Sequence, residues 1–211
     1  MYYGQLPLEL GTYKVECKEM MFYQYLPIKL KSGFSFTDYE DRLNVFRDLI
    51  LQCTRDFIDT FGQENYNQSY IYLTVKHMYQ APNTSFNRMG WHSDGFMTDD
   101  INYIWCDKYP TIFNDSKFEL TLDDEVSLKE MDIQALPIND KIFGENKLLR
   151  LNQYCIHKVA PVTEWCMRTF FKLSFSKDKY DLIGNSHNYN LNYNWKMRDR
   201  KVDRNIPQLI K

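Results

Sequence analysis

The stretch Trp91-His92-Ser93-Asp94-Gly95 holds the residue types and spacing best suited to chemistry. In extended backbone, side chains alternate between faces, so His92 and Asp94 share one face while Trp91 and Ser93 share the other. An imidazole and a carboxylate side by side fill two adjacent positions of a metal's coordination sphere. A second His from elsewhere completes a facial triad that leaves three cis positions open, the arrangement that suits non-haem Fe(II). Gly95 directly after Asp94 lets other groups come close to the site. The candidate for the remaining ligand is His157, in the stretch Ile156-His157-Lys158-Val159-Ala160-Pro161-Val162. Arg168 then opens the apolar run Thr169-Phe170-Phe171-Lys172-Leu173-Ser174-Phe175. A turn at Pro161 to Glu164 predicts that Arg168 folds back antiparallel beside the His157 strand. Its guanidinium is permanently charged and suits bidentate binding of a carboxylate.

His-x-Asp, a distal His in an H-x-V-x-P-V context and an Arg heading an aromatic strand together resemble the Fe(II)/2-oxoglutarate-dependent dioxygenases. The prolyl-hydroxylase-like branch is the most similar, because Tyr79-Gln80-Ala81-Pro82-Asn83 looks like its Tyr-x-Pro-Gly-Asn segment. The likeness spans residues 70–176. Phe170 departs from the Ser or Thr that many members carry two places after the Arg, and Trp91 departs from the Val or Arg common before the first His. The resemblance implies that His92, Asp94 and His157 bind Fe(II). It also implies that 2-oxoglutarate chelates the iron and sets its far carboxylate against Arg168, that O2 is the oxidant, and that succinate and CO2 leave. Family members that halogenate replace the carboxylate ligand with a small residue, so Asp94 points to hydroxylation.

Several elements must position these residues. Tyr70 to Gln80 alternates cleanly, with Ile71, Leu73, Val75, His77 and Tyr79 on one face and Tyr72, Thr74, Lys76 and Met78 on the other. If the first face lines the interior, Tyr79 reaches the co-substrate, while His77 reads as structural. Arg168, Phe170, Lys172 and Ser174 share a face, which makes Lys172 a second anion partner, or the true one if Arg168 points away. Thr169, Phe171, Leu173 and Phe175 then face a covering helix near residues 37–61. That helix carries a stripe of Leu43, Phe46, Leu49, Ile50, Cys53, Phe57 and Phe61. A capping box at Thr37 and Glu40 predicts its start, and Gly62 its stop.

Further strands are expected at Tyr13 to Cys17, Met20 to Leu26 (broken near Pro27), Ile101 to Cys106, Lys117 to Leu122, Lys147 to Leu151 and Gln153 to Val159. Ser32-Gly33 reads as a turn and Gly144-Glu145-Asn146 as a hairpin. An exposed turn and a short helix follow Leu122 in an acidic stretch. Arg88, Asp99 and Asp100 read as solvated rather than as substrate contacts. The expected fold is mainly β, a double-stranded β-helix (jelly roll) formed by one domain over residues 1–211. A basic aromatic arm covers about residues 185–211. From Leu191 onward that arm holds six Lys or Arg against two Asp. It either contacts nucleic acid or nucleotide, or packs Trp195 on the barrel and solvates its charges.

Composition narrows the classes. With 211 residues, 44% of them hydrophobic, the chain can bury one sizeable core. A formal charge of −2 argues against a dedicated nucleic-acid coat. Five scattered Cys without a C-x-x-C pattern read as reduced thiols of a cytoplasmic protein. No signal peptide or membrane span is expected. Abundant Tyr, Asn, Phe and Ile fit an AT-rich genome such as a phage's, in which case the compartment is the host cytoplasm. Two other classes use the same residues: a zinc hydrolase with a His/Asp/His site and a metal-free jelly-roll binding module. The substrate stays open among a small molecule, a nucleobase or nucleic acid, and a protein side chain.

Overall fold

A computed structural model of the chain describes residues 2–31, 37–85, 88–200 and 208–209. They are mainly β, arranged in two antiparallel sheets with few helices. In chain order the strands are β1 (Leu8–Thr12), β2 (Met21–Lys29), β3 (Tyr70–Gln80), β4 (Thr84–Ser85), β5 (His92–Ser93) and β6 (Ile101–Cys106). They continue with β7 (Ile112–Asn114), β8 (Asp140–Ile142), β9 (Lys147–Leu151), β10 (Ile156–Lys158), β11 (Cys166–Ser176) and β12 (Gln208–Leu209). The larger sheet has the order β1-β9-β6-β11-β3-β2 and the smaller one β5-β10-β7-β8, while β4 pairs with β12. From β3 to β11 the chain passes repeatedly between the two sheets.

The crossings correct two expectations. Arg168 is not beside the His157 strand, because β11 pairs with β3 and β6 in the larger sheet while β10 pairs with β5 and β7 in the smaller. Gly144 and Asn146 do adopt positive φ, as turn residues do. The segment they form joins β8 to β9, which lie in different sheets, so it is a crossover and not a hairpin.

One face of the larger sheet is covered by α1 (Arg47–Phe61), which a 3-10 turn at Asp41–Phe46 leads into. The apolar stripe read from the sequence is buried from Leu43 to Phe57, against Ile71, Leu73 and Val75 of β3 and Phe171, Leu173 and Phe175 of β11. Phe57 stacks on Phe175 with centroids 4.1 Å apart, and Phe46 meets Phe171 at 5.8 Å. Full burial of one such side chain contributes roughly 1.5–3 kcal/mol, so this stripe fixes which face of β3 and β11 is core. The expected capping box does not form. Glu40 makes no side-chain cap, and its carboxylate accepts from the Tyr23 hydroxyl at 3.0 Å. The helix stops at Gly62 (φ 89°), followed by the short α2 (Gln63–Gln68).

Other segments differ from expectation for local reasons. β2 runs on through Pro27, tolerated because β2 is an edge strand whose register shifts there. The first strand lies at 8–12 rather than 13–17. Residues 117–122 hold only a bridge from Phe118 to Tyr3, and α3 (Asp124–Gln134) follows, capped by the Asp123 carboxylate. Ser32-Gly33 lies outside the described residues. In the C-terminal arm Trp195 packs edge-on against Tyr70 at 5.6 Å, while Arg198 and Arg200 border the cavity described below, and residues 201–207 and 210–211 lie outside the described residues. Asn188 is buried and donates to the carbonyls of Pro27 and Asp38, at 2.8 and 2.7 Å. The cysteines are all free thiols. Among the described residues no helix is long and apolar enough to cross a membrane.

Candidate metal centre

His92 on β5 and His157 on β10 are direct cross-strand partners, with ring centroids 4.5 Å apart. Each Nδ1 is 3.0 Å from the backbone carbonyl two residues earlier, that of Gly90 for His92 and of Cys155 for His157. Carbonyls only accept, so both Nδ1 atoms carry a proton and Nε2 is the ring nitrogen turned toward a ligand in each. Asp94 follows β5 directly, and its Oδ2 lies 3.6 Å from His157 Nε2. Ligand atoms of the three residues all fall within 4.8 Å of one another. Two imidazoles and a carboxylate on a shared point fit a divalent transition metal.

The electrostatics agree with that donor set. Burial, with help from the neighbouring His157, pushes His92 down to about 3, so its imidazole stays neutral. For Asp94, burial raises the carboxyl, but the Lys172 ammonium and the two histidines outweigh it and hold the group well below the usual carboxylate range. Lys172 Nζ is 2.7 Å from Asp94 Oδ2.

Several contacts anchor the segment around His92 and Asp94. The Trp91 N–H donates to Asp132 of α3 at 3.0 Å, and the Trp91 ring lies beneath Lys158 Nζ at 4.1 Å. Ser93 donates to the Gln153 carbonyl. Gly95 has φ 74°, and a Cβ there would stand 2.8 Å from Thr98 Oγ1 and 2.9 Å from the Asp100 Cβ. The close approach read at Gly95 is therefore made by the chain's own next turn.

His92, Asp94 and His157 border a cavity of about 890 Å³ between the sheets. The larger sheet contributes Thr74 and Lys76 of β3, Asn102 and Ile104 of β6, and Phe170 and Lys172 of β11. Lys172 sits between Thr74 and Ile104 in register, and Phe170 between Lys76 and Cys106. Gln24 and Tyr25 enter at a bulge in β2, where Tyr25 takes φ 47° and its N–H donates to Thr74 Oγ1 at 3.0 Å. Gln24 Oε1 and Asn102 Nδ2 are buried on this wall without a protein partner among the described residues.

The two other expected cofactor contacts lie elsewhere. Arg168 is buried, but its Nε donates to the Lys108 carbonyl at 2.8 Å and its Nη2 to the Tyr109 carbonyl at 3.0 Å, and it does not line the cavity. It shares the face of Phe170 and Lys172 as expected, yet it stands at the head of β11, where the 108–109 loop captures it. Tyr79 is on the opposite face of β3 from Lys76. It is 52% exposed and stacks on Trp165 at 5.4 Å, so it does not line the cavity either. Lys172 is the one of the three that does. His77 is structural, with Nδ1 3.0 Å from Thr169 Oγ1. Arg88 and Asp100 both border the cavity, and Asp100 accepts from the Tyr180 hydroxyl.

Sequence reading missed Gln24, Tyr25, Thr74, Lys76 and Asn102. The available signal was Lys76, a charge in the middle of a strand whose other face is aliphatic. The positive φ of Tyr25 left no trace in the sequence.

No family model matches the chain, and no curated protein matches it. Among solved structures it is similar to EvdO2 from Micromonospora carbonacea var. aurantiaca, at 11% identity and a TM-score of 0.40 over 63% of this chain. The chain spans 64% of the length of EvdO2. It is also similar to an oxidoreductase of the 2OG-Fe(II) oxygenase family from Burkholderia pseudomallei, at 12% identity and a TM-score of 0.40, covering 87% of this chain and 75% of that one.

Proposed function

We propose that this chain is a non-haem Fe(II)- and 2-oxoglutarate-dependent dioxygenase of the prolyl-hydroxylase-like kind, a single domain built on a double-stranded β-helix. The observation that carries the reading is the convergence of His92 Nε2, His157 Nε2 and the Asp94 carboxylate at the wall of a large cavity with a buried lysine beside them. The repeated passage of the chain between two antiparallel sheets supports the fold. Fe(II) held by His92, Asp94 and His157 would supply the redox chemistry. In the overall reaction, 2-oxoglutarate, O2 and a substrate C–H become succinate, CO2 and a C–OH.

The chain's own residues prepare that chemistry. The Gly90 and Cys155 carbonyls keep both imidazoles in the tautomer that ligates. Lys172, with Lys76 across the strand pair, supplies the cations for the carboxylates of 2-oxoglutarate, in place of Arg168. Phe170 walls the same face and excludes water. The substrate occupies the rest of the cavity, which is several times the size of a five-carbon dicarboxylate.

The test is anaerobic spectroscopy followed by product analysis. Fe(II) plus 2-oxoglutarate should give a weak visible charge-transfer band, and air should then yield succinate. Zinc binding without that band, together with hydrolase activity, would overturn the reading.

A further inference from the structure

Lys172 is bonded to the same Asp94 oxygen that faces His157 Nε2, at 2.7 Å, and both of its neighbours in register line the cavity. We propose that Lys172 is a placeholder for the metal: its ammonium neutralises Asp94 until a divalent cation arrives, and is then displaced to complete an anion site that exists only in the metal-loaded protein. This rests on the proposed metal site and adds an order and a coupling to it.

The argument is electrostatic. Asp94 and Lys172 are both largely out of water, with side chains 21% and 9% exposed, so neither charge is well screened by solvent. An ionised carboxylate in such a place needs a cation, and in the metal-free protein that cation is Lys172. A divalent ion ligated by Asp94 Oδ2 brings two further positive charges within a few ångströms of Nζ. The ammonium and the ion then compete for one carboxylate, and the divalent ion, with two imidazoles as well, wins.

The structure offers Lys172 somewhere to go. Its Nζ already lies 5.6 Å from the centroid of the Tyr25 ring, and that ring is brought to the cavity by the β2 bulge. A lysine over an aromatic face is a stable arrangement. From there it faces the cavity with Lys76, which lies on the same face of β3 two positions beyond Thr74, the register partner of Lys172. Such diagonal positions are about 7–8 Å apart, which suits the two ends of a small dicarboxylate. With the metal in place and Lys172 released from Asp94, this wall presents two ammonium groups to the cavity and takes up a dianion. With the metal absent, Lys172 is engaged and the site is incomplete. Metal and dianion therefore bind cooperatively, and by linkage each tightens the other by the same factor.

The experiment is calorimetric titration of the full chain at one fixed pH. Mn²⁺ is the metal probe, and glutarate is the anion probe because it has two carboxylates but no 2-oxo group with which to chelate. Lys172→Met and Lys172→Gln are both made, and their melting curves establish that at least one is folded. Without any dicarboxylate, the folded variant should bind Mn²⁺ about tenfold tighter than the parent, since it has lost the competitor; coupling energies of this kind typically correspond to roughly 5–150-fold. Glutarate should bind the Mn²⁺-loaded parent, fail to bind the metal-free parent, and fail to bind either state of the variant. Mn²⁺ binding by both variants at or below the parent's affinity would overturn the placeholder role, as would glutarate binding equally well to the metal-free and loaded parent. In those outcomes a parent that still binds Mn²⁺ and 2-oxoglutarate leaves the proposed function standing. A parent that binds no divalent ion overturns both.

Discussion

Replacing Arg168 with Ala separates two roles that one residue cannot hold at once. Its guanidinium donates from Nε to the Lys108 carbonyl at 2.8 Å and from Nη2 to the Tyr109 carbonyl at 3.0 Å. It thereby ties the head of β11 to a loop in which Tyr109 holds φ 50°. Hydrogen bonds to a charged group contribute roughly 1.5–3 kcal/mol each. Lys108 is exposed and Tyr109 partly so, which lets water reach the freed carbonyls and places the loss at the lower end, about 2–4 kcal/mol in total. For a chain of this size each kcal/mol lowers the melting temperature by roughly 2–4 °C, so Arg168→Ala should melt about 4–16 °C lower. Arg168→Lys should recover part of this, since the charge survives and the fork does not. The same variant, loaded with Mn²⁺, should bind 2-oxoglutarate within about threefold of the parent, while Lys172→Met should lose roughly 10–150-fold, the equivalent of one charge-assisted contact. Thermal melts and calorimetry on the two variants give both numbers. If Arg168→Ala keeps its melting temperature and loses 2-oxoglutarate tenfold or more while Lys172→Met binds normally, the loop-clamp reasoning is wrong and the guanidinium is the anion partner.

Asp94→Ala should leave the fold intact and abolish succinate formation, with metal content measured after purification falling to a small fraction of the parent's; full occupancy would remove Asp94 from the ligand set. For His92, a folded value of about 3 lies below the unfolded 6.5, so the unfolded chain binds more protons between the two. Its contribution to stability is complete above pH 6.5 and is lost as the pH falls toward 3, and a His92→Gln variant should show a shallower decline of metal-free melting temperature between pH 6.5 and 4.5. Asn188→Ala removes the donor to the Pro27 and Asp38 carbonyls and should expose the C-terminal arm to limited proteolysis at about 1–3 kcal/mol of destabilisation; an unchanged digestion pattern would show that the arm's other contacts, Trp195 on Tyr70 and Arg198 on Asp181 among them, suffice to hold it.

The meeting of His92, Asp94 and His157 was legible because a His-x-Asp spacing in extended backbone puts both side chains on one face, and His157 stood in a short strand-like run. The core face of α1 was legible for the same kind of reason, since its apolar spacing allows one orientation. The faces of β3 were not. Both are buried, so the alternation of Tyr70 to Gln80 gives two sets of residues without saying which set meets the helix. Reading Ile71, Leu73 and Val75 as cavity-lining carried Tyr79 into the site and left Thr74 and Lys76 out. The position of Arg168 was illegible for a different reason. Its face was right, but its partners are backbone carbonyls of a loop distant in sequence, and carbonyls carry no side-chain signature. The hairpin read at Gly144 to Asn146 erred because turn chemistry specifies a bend and not the sheet in which the chain resumes.

Because β5 and β10 are neighbours in space but distant along the chain, the His92 and His157 rings meet only after the strands between them have crossed from sheet to sheet. Non-local pairing of this kind forms late and slowly. An unfolded or half-assembled chain therefore has two imidazoles and a carboxylate but no shared point at which to hold an ion. An ion taken up at the proposed site would report completed topology, and by mass action it would favour that state alone, by about 2.7 kcal/mol when the free ion stands at a hundred times its dissociation constant. During synthesis the last ligand-bearing strand to emerge is β10, and the larger sheet closes only when β11 inserts between β6 and β3. With an ion at the proposed site, a shortage of that ion would leave the chain folded but less resistant to unfolding.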